Sequence, residues 1–146
     1  MSAPVVDTDV IVRLVTGDEP AKQVAAFELF RRVRAGEITL QAPVTVIADA
    51  VYVLSSRKLY GLSRKRIVAM LRQLLLLPGF HVADRRTILR ALELYEIHPA
   101  LDFGDGMVVA SMEMTGATAV YSYDHHFNRI GSIRRLEPPR AGPNGA

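Results

Sequence analysis

The stretch Pro4-Val5-Val6-Asp7 predicts a short apolar strand that runs directly into an acidic residue. The same pattern returns late in the chain, where the strand-like run of residues 119–123 ends at Asp124. Helical segments separate these and the other predicted strands, which indicates a mainly parallel sheet covered by helices. Sites in such sheets form at the carboxyl ends of the strands, so Asp7 and Asp124 are expected to lie close together.

The predicted fold class is α/β, with three α/β/α layers around a central, mainly parallel sheet of about five short strands. The strands are expected near residues 4–7, 38–41, 80–83, 117–122 and 133–136. Ser63, Asp84 and Asp102 are expected to begin helices as N-caps. A single domain is predicted for residues 1–137, and the Pro- and Gly-rich tail 138–146 is expected to be disordered.

Two further acidic positions accompany helices. Asp49 interrupts an apolar helical run, and no Lys, Arg or Glu occurs from residue 42 to 56, which fits a helix facing a cleft as well as an exposed polar face. Asp102 and Asp105 form a capping-box pattern at the start of another helix. Carboxylates beside apolar runs are costly unless something compensates them, and Mg²⁺ or Mn²⁺ is the simplest compensation. Helix capping alone is the competing interpretation for Asp7 and Asp102.

The composition permits a nucleic-acid partner without requiring one. The 146 residues carry a net charge of +3, with 15 arginines against 3 lysines. Arginine pairs well with phosphate, although a GC-rich genome would produce the same excess. The chain has no cysteine, signal peptide or apolar run long enough for a membrane span, so a cytoplasmic location is expected. Several arginines fall in clusters: Arg31-Arg32, Arg34, Arg64-Lys65-Arg66, Arg85-Arg86 and Arg134-Arg135.

Several familiar site types are absent from the sequence. There is no Gly-rich phosphate loop and no nucleophile elbow, and thiol catalysis is excluded because cysteine is lacking. His125 and His126 follow Asp124, but their spacing matches no familiar zinc pattern. Zinc is therefore disfavoured, and His126 remains a candidate contact for a substrate phosphate.

Four short motifs in order resemble those of the PIN-domain superfamily and, within it, the VapC-type toxin ribonucleases, over about residues 3–137. They are Val5-Val6-Asp7-Thr8-Asp9, Val46-Ile47-Ala48-Asp49-Ala50-Val51, Asp102-Phe103-Gly104-Asp105-Gly106 and Ser122-Tyr123-Asp124. The chain departs from the usual pattern with Asp9 for Asn, Asp49 for Glu, Gly104 and Gly106 for Ala, and Ser122 for Thr. These departures leave the acidic quartet intact but bear on metal affinity and rate.

The resemblance implies a metal-dependent endoribonuclease that leaves 5′-phosphate and 3′-hydroxyl ends. One or two Mg²⁺ or Mn²⁺ ions would be held by the catalytic quartet Asp7, Asp49, Asp105 and Asp124. The resemblance also implies a homodimer, an RNA substrate, a VapB-like antitoxin as partner and no membrane association. The other predicted site residues are Thr8, Asp102 and Ser122 as supporting residues, and Arg13 and His126 as substrate-binding residues.

Two other functions are open at this point. A catalytically weak or inactive PIN-like module would bind RNA or protein without turnover, and the departures at Asp49 and Gly106 keep that alternative alive. A phosphoacceptor receiver domain is disfavoured, because no Asp follows Phe80 within its strand and Arg134 does not replace the lysine such a domain needs.

Overall fold

A computed structural model describes residues 2–140, and this part of the chain folds into six α-helices, four short strands and one 3-10 helix. The α-helices are α1 (Thr8–Val15), α2 (Pro20–Arg34), α3 (Val44–Ser55), α4 (Arg64–Leu75), α5 (Arg85–Ile97) and α6 (Phe103–Thr115). The strands are β1 (Leu40–Ala42), β2 (Phe80–Val82), β3 (Ala119–Tyr121) and β4 (Arg134–Leu136), and the 3-10 helix is His125–Arg129. The α/β class predicted from the sequence is confirmed.

The strand pairing differs from the prediction of one five-stranded sheet. Within residues 2–140 the strands form two separate parallel pairs, β1 with β2 and β3 with β4. The first predicted strand, residues 4–7, is reduced to a single bridge between Val5 and Gln41. Each named strand is only three residues long, since a helix or turn follows almost at once, so few ladder hydrogen bonds form. The three-layer arrangement and the single domain remain predictions.

The core lies where the helices cover β1 and β2. Phe30 of α2 meets Phe80 of β2 edge to face, with ring centroids 5.4 Å apart. Such pairs add stability beyond the burial of their surface. Fully buried aliphatic side chains surround this contact, including Ile11, Ile47, Leu54, Leu71, Leu75, Ile88 and Leu92.

Helices α5 and α6 approach each other closely at a glycine. A Cβ placed on Gly106 would lie 2.8 Å from the carbonyl oxygen of Ala91, closer than such contacts allow. Gly106 therefore serves helix packing, and this explains why glycine occupies a position where the resembled family usually has alanine.

All three predicted caps occupy the N-cap positions of their helices, but only two of them make a side-chain capping bond. The Ser63 hydroxyl accepts a hydrogen bond from Arg66 N, 3.2 Å away, and Asp102 caps α6. Asp84 precedes α5 but makes no side-chain capping bond, because its backbone is left-handed with φ of 58°. Aspartate tolerates this conformation, which turns the carboxylate away from the helix amides.

The predicted disordered tail falls largely outside the described part of the chain. Residues 138–140 are exposed and belong to no helix or strand, and residues 141–146 lie beyond the described range. Within residues 2–140, no helix is both long enough and apolar enough to cross a membrane.

Candidate metal centre

The first turn of α6 holds Asp105 through reciprocal hydrogen bonds with Asp102. Asp102 Oδ1 accepts from Asp105 N at 2.7 Å, and Asp105 Oδ2 accepts from Asp102 N at 3.1 Å. This capping box, predicted from the sequence, satisfies two amides that would otherwise lack partners at the helix start. It also fixes the Asp105 carboxylate, whose side chain is only 14% exposed.

A second tight turn holds Asp124 just after β3. Ser122 Oγ accepts from Asp124 N at 2.9 Å, and Asp124 Oδ1 accepts from His126 N at 2.9 Å. Asp124 is thus the N-cap of the 3-10 helix that begins at His125. Ser122 thus contacts the backbone of Asp124 through its hydroxyl, and its supporting role in a metal site stays a prediction.

The two turns meet at the imidazole of His126. Its Nδ1 lies 3.0 Å from Asp124 Oδ1 and 3.4 Å from Asp105 Oδ2. One ligand atom from each of the three residues lies within 4.8 Å of the others. The group offers two carboxylates and one nitrogen, and the Asp124 and His126 side chains remain open to solvent.

This geometry fits a single cation. Neighbouring ligands of an octahedral ion at about 2.1 Å from each donor lie about 3 Å apart, close to the separations around His126. Oxygen donors suit Mg²⁺ and Mn²⁺, and an imidazole donor moves the preference toward transition metals. The donor set therefore matches a divalent cation, and Mn²⁺ accepts all three donors.

Asp7 and Asp49, the other half of the predicted quartet, lie outside this three-residue group. Asp7 is exposed at the start of α1, and its Oδ1 accepts from Thr8 N at 2.7 Å. Asp49 is exposed near the middle of α3, which packs against α1. Thr45 and Tyr52 of the same helix are also exposed. Metal binding by Asp7 and Asp49 stays a prediction.

A shallow apolar groove of about 410 Å³ separates α3 from α6 beside the acidic group. Asp102 and Gly104 form part of its wall, so the groove adjoins the turn that presents Asp105. Tyr52, which is 75% exposed, also lines it.

Arg64 secures the loop that leads into this site. Its guanidinium donates to the carbonyl oxygens of Tyr95 at 2.7 Å and Pro99 at 3.1 Å, and also to that of Leu101. It lies 4.1 Å from the centre of the Tyr95 ring. A cation is favoured at a helix C-terminus, where carbonyls lack partners. Arg64, predicted as part of a basic cluster, therefore anchors the chain just before Asp102.

Arg13, a predicted substrate-binding residue, takes part in a local network. Its Nη1 donates to Asp18 Oδ1 at 3.1 Å, and its Nε lies 2.8 Å from Glu19 Oε2. The Tyr60 hydroxyl donates to Asp18 at 2.7 Å, and this bond, with one from Thr16, lowers the pKa of Asp18. Substrate binding by Arg13 stays a prediction, and the contacts seen stabilise the turn between α1 and α2.

His126 makes a contact that the sequence did not predict, since its imidazole lies against the carboxylates of Asp105 and Asp124. Its contact with a substrate phosphate stays a prediction. The available signal was local: an Asp followed two positions later by His, directly after a strand. Zinc motifs on helices use other spacings, so this pattern matched none of them.

Comparison with known protein families finds a match, and it covers most of the chain. The family model of the PIN domain matches residues 5–133, a range that contains every predicted site residue. A search of the curated proteins finds no match.

Proposed function

Since the chain belongs to the PIN domain family, we propose that it is a metal-dependent endoribonuclease and the VapC-type toxin of a type II toxin–antitoxin system. PIN domains are generally metal-dependent nucleases that act on nucleic acids. The observation that carries the proposal is the meeting of Asp105, Asp124 and His126 within 4.8 Å. The narrower VapC assignment is supported by the order and spacing of the four sequence motifs.

Each residue of the site has a distinct part in the proposed reaction. Asp105 and Asp124 provide carboxylate oxygens to Mg²⁺ or Mn²⁺, and His126 provides a nitrogen. Asp7 and Asp49 are further proposed ligands. When bound, the metal polarises the scissile phosphate and lowers the pKa of a water molecule for in-line attack.

The protein holds these ligands in place before any metal arrives. The capping box orients Asp105, and the Ser122 hydroxyl orients the turn of Asp124. A rigid set of donors loses little conformational entropy on binding, which favours tight and specific coordination. Bound cation would also remove the repulsion between carboxylates and an approaching RNA phosphate.

RNA binding is proposed for basic side chains that the fold leaves exposed. Lys65, Arg66, Arg86 and Arg134 are exposed, whereas Arg31 pairs with Glu28 at 2.8 Å. Exposed arginines and lysines bind phosphates without sequence preference. A homodimer, a VapB-like antitoxin and a cytoplasmic location complete the proposal, and they rest on the sequence resemblance.

The proposal is tested by incubating the purified chain with a mixed RNA pool under Mg²⁺, Mn²⁺ or EDTA. Metal-dependent cutting with 5′-phosphate ends is expected, and Asp105→Asn and Asp124→Asn should each abolish it. Asp84→Asn is the matched control, because Asp84 is exposed and has a left-handed backbone that asparagine also adopts. It should cut like the wild-type chain.

Other outcomes identify what is wrong. Metal-independent cutting with cyclic phosphate ends would contradict the metal mechanism. RNA binding without cutting, in a folded protein, would favour the non-catalytic module.

The toxin role is tested separately. Induced expression of the chain in a bacterial host should arrest growth, and Asp105→Asn should relieve the arrest.

A further inference from the structure

The neighbouring arginines of β4 occupy different environments, although the sequence presents them as one basic cluster. Arg134 is exposed, whereas the Arg135 side chain is only 13% exposed. Successive strand residues point to opposite faces, so one arginine faces solvent and the other faces the protein. A nearly buried guanidinium is costly unless its donors are satisfied.

The Arg135 guanidinium donates hydrogen bonds to both ends of the segment 122–128. Its Nη1 donates to the carbonyl oxygen of Ser122 at 2.8 Å, and its Nε donates to Asn128 Oδ1 at 3.2 Å. Nη1 also donates to Glu137 Oε1 at 3.0 Å, which balances part of the charge. The planar fork of arginine makes two such contacts in fixed directions, which a lysine ammonium does not reproduce.

One anchor of Arg135 contacts the proposed metal ligand Asp124, and the other contacts His125, the residue beside both Asp124 and His126. Ser122, held through its carbonyl oxygen, accepts from Asp124 N through its hydroxyl at 2.9 Å. Asn128 Nδ2 lies 3.2 Å from Nδ1 of His125, the residue between Asp124 and His126. The guanidinium thus connects the two ends of the segment that carries Asp124 and His126.

We propose that Arg135 is a positioning residue that sets the geometry of Asp124 and His126 for metal binding, rather than a contact for RNA phosphate. The inference rests on the proposed function. Outer partners of metal ligands typically contribute tenfold or more to affinity by orienting the ligands. Arg135 touches neither metal nor substrate and acts through Ser122 and Asn128.

The test measures Mn²⁺ binding by the purified chain without RNA, using the electron paramagnetic resonance signal of free Mn²⁺. Arg135→Gln should weaken Mn²⁺ binding about tenfold, and Arg135→Lys should retain an intermediate affinity. Arg134→Gln is the matched control, because it removes the same charge from the adjacent position. It should bind Mn²⁺ like the wild-type chain.

Cleavage kinetics provide a second readout. For Arg135→Gln, kcat should fall at low Mn²⁺ and recover at saturating Mn²⁺, with KM for RNA and its salt dependence unchanged. Arg134→Gln should instead raise KM for RNA and reduce its salt dependence. Should Arg135→Gln fail to fold, Asn128→Ala removes one anchor alone, and a smaller loss of Mn²⁺ affinity is then expected.

Each contrary result has its own meaning. Equal Mn²⁺ affinity in the wild-type chain and Arg135→Gln would overturn the positioning role while leaving the proposed function standing. A higher KM with unchanged Mn²⁺ binding would assign Arg135 to RNA contact and also overturn the inference. Absence of Mn²⁺ and Mg²⁺ binding by the wild-type chain would instead contradict the proposed function itself.

Discussion

His126 Nδ1 lies 3.4 Å from Asp105 Oδ2, although 21 positions separate the two residues in the chain. Asp105 belongs to the first turn of α6, and His126 to the 3-10 helix after β3. Only the tertiary fold brings these two turns together. Because the same nitrogen is 3.0 Å from Asp124 Oδ1, the imidazole joins the two carboxylates into one group.

Replacing His126 should change metal preference as well as affinity. Imidazole nitrogen suits transition metals more than Mg²⁺, which prefers oxygen donors. His126→Ala should therefore weaken Mn²⁺ binding by about tenfold or more, the loss typical even of outer-shell partners, and weaken Mg²⁺ binding less. Titration calorimetry with each metal measures the two affinities.

His81→Ala is the control for this experiment, since His81 is exposed on β2 and should leave both affinities unchanged. Equal losses for Mn²⁺ and Mg²⁺, or no loss for either, would show that His126 is not a ligand.

Gly106→Ala should destabilise the fold. The added methyl group would lie 2.8 Å from Ala91 O, so α5 and α6 would have to separate. Overpacking of this kind costs about 1–3 kcal/mol, more than the gain of about 1 kcal/mol from alanine's helix propensity.

Urea unfolding measures the difference in unfolding free energy between Gly106→Ala and the wild-type chain. Gly131→Ala meets no atom within 4 Å and serves as the control, with a change close to zero expected. A stabilised Gly106→Ala protein would contradict the close approach.

Removing the Arg64 guanidinium should also destabilise the fold. Arg64→Met keeps most of the apolar stem but leaves the carbonyl oxygens of Tyr95, Pro99 and Leu101 without this donor. Hydrogen bonds to a charged group contribute about 1.5–3 kcal/mol each, and part of that is recovered by water, so a loss of about 2–3 kcal/mol is expected. Lys65→Met, at an exposed position one residue on, should change the unfolding free energy by less than about 0.5 kcal/mol. Matching effects of the two variants in urea unfolding would rule out the anchoring role.

Local patterns could be predicted from the sequence because their physics is local. Asp102 and Asp105 are three positions apart, and the capping box needs only that spacing and a following helix. The Ser63 cap is equally local, because its hydroxyl accepts from the backbone nitrogen of Arg66, three positions on. Asp84 shows the limit of such local prediction, since it occupies the N-cap position of α5 with a left-handed backbone and no side-chain capping bond.

Contacts between distant segments could not be predicted in this way. The sequence gives no register between the turn of His126 and the first turn of α6. The strand predicted at residues 133–136 places Arg134 and Arg135 on opposite faces, but the sequence does not say which of the two faces the segment 122–128. The single five-stranded sheet is not seen within residues 2–140, where the strands form two separate parallel pairs. Three-residue strands carry little pairing information in the sequence.

The ion pair between α5 and α6 should give a small stability contribution that depends on pH. Arg90 Nε lies 2.8 Å from Glu113 Oε2, and this hydrogen bond, more than Coulomb attraction, lowers the pKa of Glu113 below its usual 4.5. A carboxyl with a lowered folded-state pKa stabilises the fold above the unfolded-state pKa. That contribution is lost as the pH falls through the folded-state pKa.

The Arg90 and Glu113 side chains are 35% and 41% exposed, so solvent screening limits the stability contribution of the ion pair to about 0.5–1 kcal/mol. Glu113→Gln should therefore be less stable than the wild-type chain at pH 7, and the difference should shrink toward zero as the pH falls through the lowered folded-state pKa of Glu113. Urea unfolding across this range measures it, with exposed Glu96→Gln of α5 as a charge-matched control. A difference of equal size at neutral and acid pH would mean that Glu113 contributes through packing and not through its charge.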